Sequence, residues 1–223
     1  MSNLNTPFYL TGGTALSRFY FNHRYSDDLD FFVNDNTDFI SLTSRVFSEI
    51  ETFCSENNLQ FDKKKIRITD YFCQCNVEDG DIALKLDFAN DIAVHFGELQ
   101  KTETSFLVDN LRNILSNKIT ALYRYEPKDI ADIWILCKNC EFNWETLFFE
   151  AKEKELGLNQ ILLAEIIQSF PKQKLETIKW MENQNFEQIY SDLQTICDDL
   201  IKGFDNSLCK TNTSIYNAQI FEN

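Results

Sequence analysis

Asp28 and Asp30 stand one residue apart in Ser26-Asp27-Asp28-Leu29-Asp30-Phe31-Phe32-Val33, a short distance after a paired glycine, Gly12-Gly13. On an extended chain alternate side chains share a face, so the two acids point one way and Leu29, Phe31 and Val33 the other. Paired carboxylates supply hard oxygen ligands to Mg²⁺, which keeps several of its waters and needs few protein oxygens. A third acid, Asp87, follows Lys85 on a second alternating stretch, residues 82–88. Gly12-Gly13-Thr14 reads as a turn into a helix, where close backbone approach and free N–H groups can hold phosphate. Together these parts describe a site for transferring a nucleotide. One Mg²⁺ would activate the attacking oxygen and a second would steady the departing pyrophosphate.

The candidates follow from those roles. Asp28, Asp30 and Asp87 are the expected metal ligands, with Asp87 nearest the attacking hydroxyl. Gly12, Gly13 and Thr14 are the expected phosphate cradle. Arg24, Lys85 and Lys118 are the cations available to offset a triphosphate. Each part alone is ordinary: a Gly-Gly-Thr turn is usually a mere connection, and Asp-x-Asp is common on acidic surfaces. An EF-hand is excluded, because the loop from Asp28 lacks the required Gly and terminal Glu. Order and shared facing carry the reading.

The elements that must position these residues can be read from periodicity. Residues 8–10 form a short strand, and Thr14 is placed to cap a helix running to about Asn22. Residues 26–33 form the next strand. Phe39, Leu42, Val46, Ile50 and Phe53 recur at helical spacing, which predicts an amphipathic helix over 38–56. A strand with a bend near Asp70 is expected over 60–76, then a turn at Glu78-Asp79-Gly80-Asp81. In the following strand Ile82, Leu84, Leu86 and Phe88 should face the core and Ala83, Lys85 and Asp87 the opposite side. Beyond about residue 105 helical periods take over, at 109–124, 128–138, 143–156, 159–169, 173–183 and 186–202. Pro127 suits a first turn, and Gly157 can end the third of these helices. The polar tail from Asp205 is expected to be loosely held.

Composition narrows the class. Hydrophobic residues at 43%, twenty Phe among them, can fill a real core, and Gly and Pro are few. No apolar run reaches the roughly 20 residues that span a bilayer. Met1-Ser2-Asn3-Leu4-Asn5 lacks a basic start and an apolar signal core, so the cytoplasm is the expected location. Seven Cys at irregular spacing suit a reducing compartment. Cys73-Gln-Cys75 and Cys137-Lys-Asn-Cys140 have the form of two zinc half-sites, or of small core residues. A net charge of −14 repels nucleic acid except where basic residues gather. Lys63-Lys64-Lys65 with Arg67 is the dense basic run, and a solvated strand edge is its simplest reading.

At this point a family resemblance is visible. Gly12-Gly13-Thr14-Ala15-Leu16, His23-Arg24 and Ser26-Asp27-Asp28-Leu29-Asp30-Phe31 resemble the AbiEii/AbiGii toxin family of nucleotidyltransferases, within the DNA polymerase β-like superfamily. So do Leu84-Lys85-Leu86-Asp87, Asn117-Lys118-Ile119-Thr120-Ala121-Leu122 with Arg124, and Lys128-Asp129-Ile130-Ala131-Asp132. Lys128 departs from the family's usual Arg but keeps the charge. The likeness covers about residues 8–137. With the change to helical periods near residue 106, it gives the expected α+β fold: a small mixed β-sheet nucleotidyltransferase core with flanking helices over 1–106, then a helical half over 107–223 that contributes to the active-site cleft. It implies Mg²⁺- and NTP-dependent transfer to an RNA (tRNA) or protein acceptor, and a toxin paired with an antitoxin protein in phage defence. It also implies that Lys118 and Asp129 complete the site from the helical half. Asp132 lies one turn beyond Asp129, where a catalytic acid and a helix-start acid favoured by the dipole are equally good readings. Two other functions fit the residues. A small-molecule nucleotidyltransferase would attract a cationic, aminoglycoside-like acceptor to the acidic surface, and an inactive scaffold would bind nucleotide without turnover.

Overall fold

A computed structural model describes residues 6–104, 106–211 and 213–220. Its centre is a mixed sheet. β1 (Tyr9–Thr11) pairs antiparallel with β2 (Asp28–Asn34), and β2 pairs parallel with β6 (Ile82–Asp91). β5 (Phe72–Asp79) pairs antiparallel with β6 and carries β3 (Gln60–Phe61) and β4 (Arg67–Ile68) on its outer side. Beyond β1 lie β8 (Leu107–Val108), parallel to it, and β7 (Gln100–Lys101). The sheet is thus completed by a strand just past residue 106.

Alternation sets the two faces. Phe31, Val33, Leu86 and Phe88 are buried on one side, where Phe88 stacks on Phe31 at 5.2 Å and meets Phe8 and Phe47 edge-on. α2 (Phe39–Glu56) covers this side through Phe39, Thr43, Val46 and Phe47, at the i, i+4, i+7 spacing of one helical face. The expected apolar row on β6 is only half used. Ile82 is 73% exposed and Leu84 37%, because their end of the β5–β6 hairpin extends past the helix that covers the rest. The single strand expected over 60–76 is instead β3, a 3₁₀ turn at Lys63–Lys65, β4 and β5, with Lys63 and Lys65 paired to Glu51 and Glu78 on the surface.

The helices of the second half are α3 (Leu111–Ala121), α4 (Pro127–Asn139), α5 (Trp144–Lys154), α6 (Gln160–Gln168), α7 (Lys172–Glu176) and α8 (Phe186–Lys202). Asn110, Asn143, Asn159 and Asn185 cap four of them by accepting backbone N–H bonds. Pro127 occupies a first turn, and Gly203, at φ +65°, ends α8. Gly157 does not end α5, which stops three residues earlier with Glu155 as its cap.

Three local expectations fail for identifiable reasons. The helix at the glycine turn is α1 (Gly12–Leu16), continued by a π-helical turn to Phe21, and its N-cap is Thr11 rather than Thr14. The helix expected over 173–183 stops at Glu176. Its continuation pairs with residues 23–25 instead, Tyr25 N–H donating to the Lys179 carbonyl and Met181 N–H to that of His23. The tail, in its described residues, is pinned. Asn206 is buried and donates to the carbonyls of Cys137 and Cys140 at 2.6 and 2.7 Å, and Ile215 is buried in the core. Cys73, Cys75, Cys137 and Cys140 are free thiols buried in the core, as small core residues would be.

Candidate active site

The parallel pairing of β2 and β6 places Asp28 opposite Lys85 and Asp30 opposite Asp87. Two alternating strands in register therefore present all four side chains on one face, away from the Phe31–Phe88 core. The Lys85 ammonium stands 3.2 Å from Asp28 Oδ2 and 3.1 Å from Asp87 Oδ2. Burial pulls its proton affinity down, but its bonds to Asp87 and Asp28 outweigh that and raise it. On β5, Gln74 lies opposite Asp87 and donates to its Oδ1 at 2.7 Å. Gln74 was not among the expected site residues, since a lone amide on a strand carries no motif.

The glycine turn abuts this face. Gly12 has φ +70°, a conformation open to glycine, and a Cβ there would come within 2.9 Å of Asp30 Oδ2. Gly13 has ordinary backbone, but a Cβ would lie 2.1 Å from a terminal nitrogen of Arg24. Thr14 is buried. Its hydroxyl donates to the Asp28 carbonyl and lies 2.8 Å from the Ser26 hydroxyl, which ties the turn to the start of β2.

Behind the turn is a buried ionic cluster. Arg24 is 1% exposed and grips Asp132 with two nitrogens, Nε at 2.7 Å from Oδ1 and Nη2 at 2.8 Å from Oδ2. His23 Nε2 is 2.8 Å from Asp132 Oδ1, and its Nδ1 is buried with no partner among the described residues. Lys118 Nζ lies 2.7 Å from both Asp129 Oδ1 and Asp132 Oδ2, and Arg124 reaches Asp129 Oδ2 at 3.0 Å. Burial pushes the Asp132 carboxyl up, but Lys118, His23 and Arg24 together hold it well below the usual range. Arg24 and Lys118 are likewise held charged by these acids against the pull of burial.

Arg24, Lys85 and Lys118 thus all stand in ion pairs with acids of the chain itself. Arg24 is a strut beneath the glycine turn rather than part of the open face. Sequence order could not reveal this, because its partner Asp132 is 108 residues away.

An open cleft of about 460 Å³ lies between the acidic face and the helical half. Gly12, Asp30 and Phe32 line one side, Asn117, Lys118 and Arg124 another, and Lys154 closes part of the wall. Asp30 faces this cleft with its carboxyl proton affinity raised. Burial is the main cause, with Asp87 and Asp28 adding to it and Lys118 and Lys85 opposing. A partly buried carboxylate with unmet charge beside two others fits a divalent cation in donor chemistry. Among the described residues, however, no three His, Cys, Asp or Glu side chains form a ready ligand group. Lys85 is interposed between Asp28 and Asp87.

A mixed sheet bearing carboxylates on adjacent parallel strands, a glycine turn against them and a helical wall define a cleft of the nucleotidyltransferase class. The chain matches the model of the nucleotidyl transferase AbiEii toxin family, from type IV toxin–antitoxin systems, over residues 1–205, and it belongs to that family. Its fold is similar to the crystal structure of JHP933 from Helicobacter pylori, with TM-score 0.53 and 22% identity over 90% of this chain and 87% of that one. It is also similar to a candidate nucleotidyltransferase from H. pylori, with TM-score 0.55 and 22% identity over 90% and 89%. No curated protein matches the sequence. Among the described residues no helix is long and apolar enough to cross a membrane.

Proposed function

We propose that this chain transfers a nucleoside monophosphate from an NTP to a hydroxyl of an RNA acceptor, tRNA in particular, or of a protein. The observation that carries the reading is the β2–β6 register, which sets Asp28, Asp30, Asp87 and Lys85 on one face against Gly12. Asp28, Asp30 and Asp87 would hold Mg²⁺, which neutralises triphosphate charge when bound. N–H groups of the Gly12-Gly13-Thr14 turn would receive phosphate oxygens. Asp87, oriented by Gln74, would align the acceptor hydroxyl and take its proton. That oxygen bonds to the α-phosphorus as the bond to the bridging oxygen breaks and pyrophosphate leaves. Lys85, released from Asp28 and Asp87, would offset the phosphate charge. Lys118 and Asp129 would complete the site from the helical half, so residues 1–106 and 107–223 would act as core and cleft wall. The same reading makes the chain a cytoplasmic toxin held in check by an antitoxin, with a role in phage defence.

Labelled NTPs incubated with total RNA, lysate protein or aminoglycosides test the reaction and its acceptor. Label should enter RNA or protein, and the Asp28→Asn/Asp30→Asn double variant should abolish transfer while retaining the fold. Full activity in that variant would refute the assignment, and label in aminoglycosides alone would overturn the acceptor.

A further inference from the structure

Lys154, the last residue of α5, lines the same cleft as Gly12 and Asp30. It differs from the other cations there. Lys118 and Arg124 are matched by Asp129 and Asp132, whereas Lys154 is held by neutral amides, Asn113 Oδ1 at 2.5 Å and Asn117 Oδ1 at 2.6 Å. An ammonium has three donors, and these two bonds leave one free. Phe96 lies under it, with Nζ 5.4 Å from the ring centroid.

Its placement is built rather than incidental. Asn113 is buried, accepts the Phe96 N–H at 3.1 Å and donates to Asp109 Oδ2 at 2.8 Å. Asp109 Oδ2 also accepts the Thr11 hydroxyl at 2.6 Å, and Thr11 is the residue before the glycine turn. One chain of hydrogen bonds therefore fixes both the turn and the Lys154 ammonium. Burial costs this lysine hydration that two amide oxygens restore only in part. Asp109, Asp91 and Glu150 act on it as nearby charges rather than as bonded partners. A half-buried cation with a free donor, facing a cleft, is complementary to an anion.

We infer that Lys154 is a phosphate-binding residue, whose ammonium, bonded to amides rather than to a carboxylate, receives the triphosphate of the NTP donor. The inference rests on the nucleotidyltransferase reading and extends it beyond the acidic face, to a helix that carries none of the sequence motifs. The same chemistry could receive a phosphodiester of an RNA acceptor, so the test separates the two.

The experiment is calorimetric titration of the full chain, in Mg²⁺, with NTPs, inorganic tripolyphosphate, a nucleoside and tRNA. Lys154→Gln should weaken NTP and tripolyphosphate about ten-fold or more, as expected for loss of a charge-assisted bond, and leave nucleoside binding unchanged. Lys154→Arg should restore most of that affinity. Asn117→Asp keeps the lysine but sets a carboxylate beside Nζ, and should weaken the same two ligands. It serves as the test if Lys154→Gln fails to fold. Tripolyphosphate bound equally well by wild type and both neutralising variants would overturn the inference. So would a loss confined to tRNA, or one shared equally by the nucleoside. Failure of the wild type to bind any NTP would instead sink the nucleotidyltransferase reading itself.

Discussion

Substituting Gly13 with Ala tests how the glycine turn is supported. An added Cβ would lie 2.1 Å from an Arg24 terminal nitrogen and 3.1 Å from its Cζ. That guanidinium is not a flexible end, because both of its bonds to Asp132 are buried. Making room means breaking the pair, and disrupting a buried ion pair costs about 3–5 kcal/mol. Ala is better than Gly within a helix by about 1 kcal/mol, which offsets part of this. The net expectation is a loss of about 2–4 kcal/mol. At about 2–4 °C per kcal/mol for a chain of this size, the Tm should fall by about 5–15 °C. Thermal unfolding followed by circular dichroism would measure it. The decisive comparison is a double-mutant cycle with Arg24→Gln, whose shorter side chain removes the obstructing nitrogen. In that background Gly13→Ala should cost little or become favourable. A Gly13→Ala protein as stable as wild type, or one that loses the same stability in both backgrounds, would refute the account.

Three further outcomes follow from the charged groups. Asp132→Asn should cost about 3–5 kcal/mol at neutral pH, because Arg24 and Lys118 lose their common counter-charge. Since the Asp132 carboxyl is held below its ordinary range, its contribution is complete above about pH 4 and lost as pH falls further. The variant's stability profile should therefore be flatter in acid by urea titration. Asp30 has the opposite sign: its raised proton affinity means the ionised form costs stability at neutral pH. Asp30→Asn should raise the Tm in EDTA and reduce the gain on adding Mg²⁺, and a lower Tm would contradict this. Burial brings Lys154 down to about 8, against Asp109, Asp91 and Glu150. NTP affinity should decline as pH rises through about 8 in wild type and stay level between pH 7 and 9 in Lys154→Arg, by the same calorimetry.

What the sequence made legible was whatever depends on short periods. The facing of Asp28, Asp30, Lys85 and Asp87 follows from strand alternation, and the structure sets those strands side by side in matching register. The α8 limits, Phe186–Lys202, match the helical period expected over 186–202. Long-range pairing was not legible. Arg24 looked like a free cation because nothing near it in sequence announces Asp132. The segment after Glu176 looked helical because its composition is helical, yet its hydrogen bonds are taken by residues 23–25. Lys154, Asn113 and Gln74 each bond to neighbours on other elements, and such side chains leave no spacing signature. The polar tail looked loose, but Asn206 and Ile215 find buried partners that composition cannot display.

Asp132 belongs to a helix of the second half, yet it is the common anchor for His23 and Arg24 of the first. The two halves therefore cannot be exchanged between relatives as independent modules. A chimera spliced near residue 106 would retain its architecture only if both parents supply compatible His-Arg and Asp partners, so these distant positions should travel together through recombination.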